Sequence, residues 1–233
     1  MDKLLLHCCC APCANQPIDE LLAGGYQLGL FYMNPNIQPR QEYGLRRDCL
    51  AGYASSLGLP YWEDEYNPGR WYQAVGNDGG VFAYTAEESL EEMRARRSVR
   101  CRLCYAHRFQ ALARLAAELG YDSISSSLLV SPYQFHELLA EELIAAAGVY
   151  GLKALTPDWR PVYRQGQDKA RELGFYRQRY CGCEFSYQEA DIERAYRLEA
   201  KAKAKARAGA GAGAGAGADV GAGAGAAFGG PGS

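Results

Sequence analysis

The residues best suited to chemistry in this 233-residue chain are its nine cysteines. Eight of them occur in three short strings, HCCCAPC, RCRLCY and YCGCEFS, and Cys49 stands alone. A thiolate is a nucleophile and a ligand for soft metals, so thiols repeated at short spacing indicate a redox or metal site. The grouped residues are Cys8, Cys9, Cys10, Cys13, Cys101, Cys104, Cys181 and Cys183.

Two C-x-x-C pairs, Cys10/Cys13 and Cys101/Cys104, supply four thiolates. Two intervening residues make a tight turn, which lets both sulfurs of a pair reach one ion. Four thiolates are the ligand set of a structural zinc site or of a 4Fe–4S cluster. A closed zinc site needs no further ligand, whereas here a fifth cysteine adjoins the first pair and the CGC string adds two more. The excess favours an iron–sulfur site.

Two other interpretations stay open at this point. A strand followed by C-A-P-C and a helix is also typical of thioredoxin-like disulfide reductases, in which the helix N-terminus lowers a thiol pKa. That interpretation explains only Cys10 and Cys13. A zinc-stabilised RNA-binding module would explain the two C-x-x-C pairs without redox activity. We interpret Cys8 and Cys49 as small buried residues with a structural role.

Three further side chains are candidates for the site, each with a plain structural alternative. Asp158, in the string TPDWRPVYRQG, is placed to complete a metal's ligand shell or to move a proton, and a turn residue explains it equally well. His7 directly precedes the first cysteines and is either a proton donor or a strand-end residue bonded to backbone. Tyr133 either stacks on a nucleobase or packs against the protein.

Basic residues are concentrated in two stretches that lead towards cysteine motifs. Residues 94–108 contain six arginines and no acidic residue, and residues 160–179 contain six basic residues and two acidic ones. Before residue 201 the chain nevertheless holds 21 basic and 26 acidic residues, a net charge of −5. An acidic body excludes a general nucleic-acid binder, so contact with RNA requires a local basic patch.

The pattern of apolar runs and turn residues predicts strands that alternate with helices. This order predicts an α/β fold with a mostly parallel, Rossmann-like sheet and helices on both faces. Ligands of such folds bind at the carboxyl ends of strands, so we expect the metal site at the end of the first strand. Strands are predicted at 4–6, 26–32, 60–62, 122–127 and 152–155, and helices at 14–23, 42–57, 71–75, 87–97, 105–119, 135–147 and 167–173.

The chain divides by composition into a body and a tail. We predict one catalytic iron–sulfur domain over residues 1–199 and a disordered tail over 200–233, where Lys/Ala and then Gly/Ala repeats offer little surface to bury. No stretch approaches the roughly 20 apolar residues of a membrane span, and no signal peptide is recognised. We therefore predict a cytoplasmic protein without a membrane partner, in which the thiols remain reduced.

Five strings taken together resemble the non-cobalamin epoxyqueuosine reductase family, the QueH type. They are LLLHCCCAPC, FYMNPNIQP followed by EY and an arginine pair, CRLCYAHR, SSSLLVSPYQFHE and YRQRYCGCEFS, in this order over residues 3–187. The family usually has an aliphatic residue where this chain has Cys8, which supports leaving Cys8 out of the site. Its usual threonine run is replaced here by Ser125–Ser127, which keeps the hydroxyls.

The resemblance implies a two-electron reductive deoxygenation of epoxyqueuosine in tRNA to queuosine, the last step of queuosine biosynthesis. It implies a 4Fe–4S cluster and a second, mononuclear metal, expected to be iron. The implied partners are the tRNA anticodon stem-loop and an unidentified electron donor. By motif, the cluster ligands are Cys10, Cys13, Cys101 and Cys104.

Three more cysteines receive roles from the same resemblance. Cys9 and the pair Cys181/Cys183 would lie nearby, as ligands of the second metal or as a redox dithiol, and Cys9 and Cys10 could exchange places. A disulfide within C-x-C closes a small, strained ring, and strain makes a dithiol a poorer reductant. This argues mildly for metal ligation or electron storage by Cys181/Cys183, rather than direct delivery of an electron pair.

Overall fold

The computed structural model describes residues 2–76 and 89–213, and its centre is a five-stranded sheet in which every strand pair is parallel. The spatial order is β3-β2-β1-β4-β5. This confirms the predicted α/β class and the parallel sheet. The strands are β1 Lys3–His7, β2 Gln27–Tyr32, β3 Tyr61–Glu63, β4 Ser123–Ser126 and β5 Lys153–Ala154.

The first strand is the middle of the sheet and the point at which the direction of winding changes. On one side Leu4 lies opposite Leu28 of β2, and on the other it lies opposite Ser123 of β4. The chain adds β2 and β3 on the first side and β4 and β5 on the second, so the switch point lies between β1 and β4. Open α/β sheets bind their ligands in the crevice outside such a point.

Helices cover the sheet. α1 packs against α2 and α6, and α4 packs against α5. Because β-α-β crossovers are right-handed, the connections that run in opposite directions from β1 place their helices on opposite faces. The helices are α1 Ala11–Ala23, α2 Arg40–Ser56, α3 Pro68–Ala74, α4 Leu90–Glu118, α5 His136–Val149, α6 Tyr163–Glu172 and α7 Glu184–Gly213, with short 3-10 turns at Ser127–Val130 and Arg160–Val162.

The second C-x-x-C motif lies inside a helix and not in the separate turn that we predicted. The two helices predicted at 87–97 and 105–119 form one helix, α4, and residues 87 and 88 lie outside the described part of the chain. Ser89 and Glu92 form a capping box at its start, and no glycine or proline interrupts the residues that follow. Cys101 and Cys104 are therefore one helical turn apart and share a face.

The C-terminal part of the chain forms a separate compact unit. The first unit is Met1–Ala190 and the second is Asp191–Ser233. The helix α7 continues to Gly213, into the segment that we predicted to be disordered, and residues 214–233 lie outside the described residues. The alanines and lysines of residues 200–206 have high helix propensity. The boundary at residue 200 and the disorder of the tail stay predictions. Among the described residues, no helix combines the length and apolar character that a membrane crossing requires.

Candidate metal centre

Three thiols meet directly beyond the end of β1, and we call them the N-terminal thiol group: Cys9, Cys10 and Cys13. Their sulfurs all lie within 4.8 Å of one another, and the Sγ atoms of Cys9 and Cys10 are 3.7 Å apart. All three residues are buried. The geometry follows from the chain path, because β1 ends two residues before Cys9 and α1 begins with Cys10 as its N-cap and Cys13 in its first turn.

Two side chains from distant parts of the sequence donate hydrogen bonds to this group. The Nε2 of Gln178 lies 2.9 Å from the Cys10 sulfur and 3.4 Å from the Cys13 sulfur. The hydroxyl of Ser127 accepts a hydrogen bond from the backbone N–H of Cys9 at 3.1 Å and lies 3.6 Å from its sulfur as a donor. Ser127 directly follows β4, so the two strands at the switch point both contribute to the site.

Hydrogen bonds within the N-terminal thiol group shift the pKa values of its three thiols in different directions. Hydrogen bonds from the Cys10 and Cys13 thiols hold the pKa of Cys9 well below its usual range, although burial opposes this. Burial raises the pKa of Cys10, and donation to Cys10 and Cys9 raises the pKa of Cys13. Of the three thiols, Cys9 is therefore the one that ionises most readily, because its two neighbours donate hydrogen bonds to its sulfur.

The other paired cysteines form a second thiol group: Cys101 and Cys104 on α4, and Cys181 and Cys183 directly before α7. Cys104 and Cys183 belong to one buried apolar cluster together with Trp71. Burial raises the pKa of Cys101, and the charges of Cys181 and Cys183 raise it further. Burial also raises the pKa of Cys183, to about 12, with the Cys181 charge as the next cause.

The loop that carries Cys181 and Cys183 is held by Arg46 of α2. Its Nη1 donates to the carbonyl of Cys181 at 2.9 Å and its Nη2 to that of Tyr180 at 3.2 Å, while Glu42 accepts from Nε at 2.7 Å. Between the cysteines, Gly182 has a φ of 132°, a conformation that L side chains rarely adopt. Its carbonyl accepts a hydrogen bond of 2.8 Å from the backbone N–H of residue 38.

Arg108 of α4 links the two thiol groups. Its guanidinium is buried, its Nη1 lies 4.0 Å from the Cys104 sulfur, and its charge contributes to lowering the pKa of Cys9. Its Nη2 donates to Asn34, whose own amide donates to the carbonyl of Cys8 at 2.9 Å. Its Nε is buried without a hydrogen-bond partner, and no carboxylate of the described residues forms an ion pair with it.

His7 is fully buried and has a neutral ring. Its Nε2 donates to the carbonyl of Met33 at 3.2 Å, and its Nδ1 accepts from the hydroxyl of Ser126 at 3.0 Å. The Met33 carbonyl fixes this tautomer, because a carbonyl can only accept a hydrogen bond, and Ser126 also accepts from the backbone N–H of Leu128. Burial, followed by the Arg108 charge, lowers the pKa of His7 to about 3. Both ring nitrogens thus have hydrogen-bond partners within the protein. His7 therefore fits the role of a strand-end residue bonded to backbone better than that of a proton donor.

A comparison with known proteins shows to which family the chain belongs. The family model described as "Epoxyqueuosine reductase QueH" matches residues 4–189. The chain belongs to the epoxyqueuosine reductase QueH family. It is 31% identical over 199 residues to an enzyme of that name from Acinetobacter baylyi, covering 82% of this chain and 83% of the relative. It is also 31% identical over 194 residues to the one from Thermotoga maritima, covering 81% and 92%.

Among solved structures, one described as a predicted subunit of a tRNA methyltransferase from Methanocaldococcus jannaschii aligns with a TM-score of 0.45 and 12% identity. It covers 74% of this chain and 76% of that one. A similarity this low supports no inference about function. The QueH assignment depends on the sequence relatives and on the family model.

The predicted site residues of this QueH-family chain are distributed over the two thiol groups. Cys10 and Cys13 lie together with Cys9, and Cys101 and Cys104 lie in the second group with the C-x-C pair. In the described part of the chain, the N-terminal group is where three possible metal ligands come within 4.8 Å of one another. The four-cysteine ligand set across both groups stays a prediction.

Asp158 lies in an exposed turn. Its carboxylate accepts from the backbone N–H of Arg160 at 3.1 Å and from Nε and Nη2 of the Arg160 side chain, each at 2.7 Å. These bonds hold the pKa of Asp158 at about 2. The carboxylate does not join the N-terminal thiol group, and its bonds are those of the turn residue considered as the alternative. A catalytic role for Asp158 stays a prediction.

Two side chains that contact the thiols, those of Arg108 and Gln178, were not predicted as site residues. Arg108 had a usable signal, because it follows Cys104 by four residues on a helix and therefore shares its face. Gln178 had none, because a glutamine in a polar string is common on surfaces.

The stretch 94–108 is less available to RNA than its composition suggests. Arg100 and Arg108 are buried, and Arg102 pairs with two glutamates of α5.

Proposed function

We propose that this chain is an iron–sulfur-dependent oxidoreductase that removes the epoxide oxygen of epoxyqueuosine in tRNA, giving queuosine. The observation that carries the proposal is the buried N-terminal thiol group at the switch point of the sheet, in a chain of the QueH family. Because the thiols must be reduced to bind iron and the substrate is a tRNA, we place the reaction in the cytoplasm.

The chain's donor set fits a metal-thiolate centre. Seven cysteines lie in the two thiol groups, which exceeds the four thiolates that a 4Fe–4S cluster requires. Arg108 offers a second argument. A buried guanidinium without a carboxylate partner is costly, and an anionic thiolate centre next to Cys9 and Cys104 would supply the missing negative charge.

We assign the cluster to Cys10, Cys13, Cys101 and Cys104, with Cys9 able to replace Cys10. When bound, the cluster would supply electrons one at a time, and a neighbouring iron ion would supply Lewis acidity for the epoxide oxygen. The remaining thiols, Cys181 and Cys183, would ligate that iron or store electrons as a dithiol that closes to a disulfide. The source of the electrons is a separate donor protein or reductant.

The chain's own residues then orient the centre and hold protons. Conversion of an epoxide to an alkene breaks two C–O bonds, takes up two electrons and two protons, and releases water. Burial and the nearby Cys13 charge raise the pKa of Tyr163 to about 12, so its phenol keeps a proton near the N-terminal thiol group at neutral pH. Gln178 and Arg108 donate towards the sulfurs and orient them. Gln134 does the same for Cys181, at 3.6 Å.

The decisive experiment is anaerobic purification, followed by iron, sulfide and zinc analysis and an assay with tRNA that carries epoxyqueuosine. We expect iron and sulfide at about four each per cluster, with additional iron for the mononuclear site, and conversion to queuosine. Cys101→Ser should lose cluster and activity. Cys49→Ser is the matched control, because Cys49 is a half-buried thiol on α2 outside both thiol groups.

Each alternative predicts a different result. Stoichiometric zinc without iron, in a colourless protein that converts no substrate, would instead establish a zinc-stabilised RNA-binding module. Activity that needs no metal and survives Cys101→Ser would establish a thioredoxin-like disulfide reductase. Full activity of Cys101→Ser with an intact cluster would refute the ligand assignment alone.

A further inference from the structure

Two tyrosines lie together at the surface beside the thiol groups. Tyr133, in the loop before α5, is 54% exposed. The ring of Tyr163, the first residue of α6, stands edge-on to it, with ring centroids 6.1 Å apart and planes at 83°. An exposed aromatic ring that is held in place by contact with a second ring offers a free face, and a nucleobase can stack on such a face.

The pair is placed next to the sulfurs by contacts on both sides. The residue after Tyr133 is Gln134, whose Nε2 donates to the Cys181 sulfur at 3.6 Å. On the other side, the start of α6 packs on the start of α1, which carries Cys13. There the side-chain amide of Asn15 donates to the carbonyl of Gly166 at 2.8 Å. The two tyrosines therefore lie beside segments that contact both thiol groups.

The same region holds exposed arginines that the protein itself does not neutralise. Other basic residues of the stretch 160–179 are paired within the chain, Arg160 with Asp158 and Arg171 with Asp168. Three exposed arginines form no ion pair with the described residues, and two of them flank Gln178, the donor to Cys10 and Cys13. They are Arg164, Arg177 and Arg179.

We propose that Tyr133 and Tyr163 form the stacking surface for one unpaired base of an RNA loop, and that Arg164, Arg177 and Arg179 bind the phosphates on either side of it. The proposal rests on the proposed function for the identity of the RNA, an anticodon loop. A looped single strand suits this surface better than a duplex does, because only an unpaired base presents a free face for stacking. Because the body of the chain is acidic overall, RNA binding requires a local basic patch of this kind.

The test is a fluorescence-anisotropy titration of the anaerobically purified full chain with a fluorescein-labelled RNA hairpin that has the sequence of a tRNA anticodon stem-loop. Tyr133→Ala should weaken binding at least fivefold, and Tyr133→Trp should retain it, because both tyrosine and tryptophan stack. Tyr150→Ala is the matched control. Tyr150 is 42% exposed and lies at the opposite end of α5, and its loss should leave the affinity unchanged.

The arginines are tested by salt dependence. Arg177→Ala and Arg179→Ala should each weaken binding and lower the slope of log Kd against log salt by about 0.7, the value for one phosphate contact on a single strand. The surface is refuted if Tyr133→Ala and the arginine variants bind the hairpin as the wild type does. If wild-type protein converts epoxide-bearing tRNA in that case, the proposed function stands. If binding depends on Tyr133 but the wild-type protein converts no epoxide-bearing tRNA, the stacking surface is supported and the proposed function is refuted.

Discussion

Replacing Gly182 by alanine should destabilise the loop that carries Cys181 and Cys183. A Cβ at this position would lie 2.8 Å from Cγ1 of the buried Ile37 and 3.2 Å from Nη1 of Arg46, and the φ of 132° is strained for any L residue. Strain of this kind costs about 1–3 kcal/mol, and overpacking of a buried site costs about as much again. The total is about 2–6 kcal/mol, a large share of the roughly 5–15 kcal/mol that stabilises a typical domain.

The measurement is urea unfolding of the reduced protein, together with turnover. For an m-value of about 2 kcal/mol/M, the midpoint should fall by about 1–3 M. Gly52→Ala is the matched control, because Gly52 lies in α2 with nothing within 4 Å of its Cβ position. This control should be stabilised by about 0.5–1 kcal/mol, since alanine is the better helix former. An unchanged midpoint and full activity for Gly182→Ala would show that the loop does not have this conformation.

Two further predictions concern groups next to the sulfurs. The pKa of His7 is about 3 in the folded chain and near 6.5 in the unfolded chain. The unfolded chain therefore binds the proton first, so stability is complete above pH 6.5 and decreases by up to about 1.4 kcal/mol per pH unit below it. Urea midpoints between pH 7 and 4.5 should show a smaller slope for His7→Gln. Gln178→Leu removes the N–H donors to Cys10 and Cys13, so a redox titration should give a more negative cluster potential than wild type.

Much of the fold could be predicted from the sequence because its signals are local. The run LLLH followed by cysteines predicted the first strand, and apolar residues at helical spacing in residues 105–119 predicted the C-terminal half of α4. The alternation of strands with helices gave the parallel sheet. The continuity of α4 through Cys101 was missed because C-x-x-C was taken for a separate turn, although nothing in RCRLCYAHR breaks a helix.

The site was harder to predict because its decisive contacts join residues that are far apart in the sequence. Ser127 contacts Cys9 across 118 positions, and Gln178 contacts Cys10 across 168. No spacing rule connects such residues. Likewise, composition did not distinguish Arg108, which is buried beside a thiol, from Arg179, which is exposed. The difference is set by the packing of helices and loops around the sheet.

The wide separation of the two thiol groups has a consequence for the biogenesis of the protein. The first cysteines, at residues 8–13, are translated early, whereas Cys183 is translated 170 residues after Cys13. At usual rates of translation that interval is roughly ten to thirty seconds. Ser127 and Gln178, which contact the early thiols in the folded chain, are translated only 114 and 165 residues after Cys13. A cluster with the proposed ligands Cys10, Cys13, Cys101 and Cys104 could therefore form only after Cys104 has been translated, and a reducing compartment would protect the early thiols from oxidation until then.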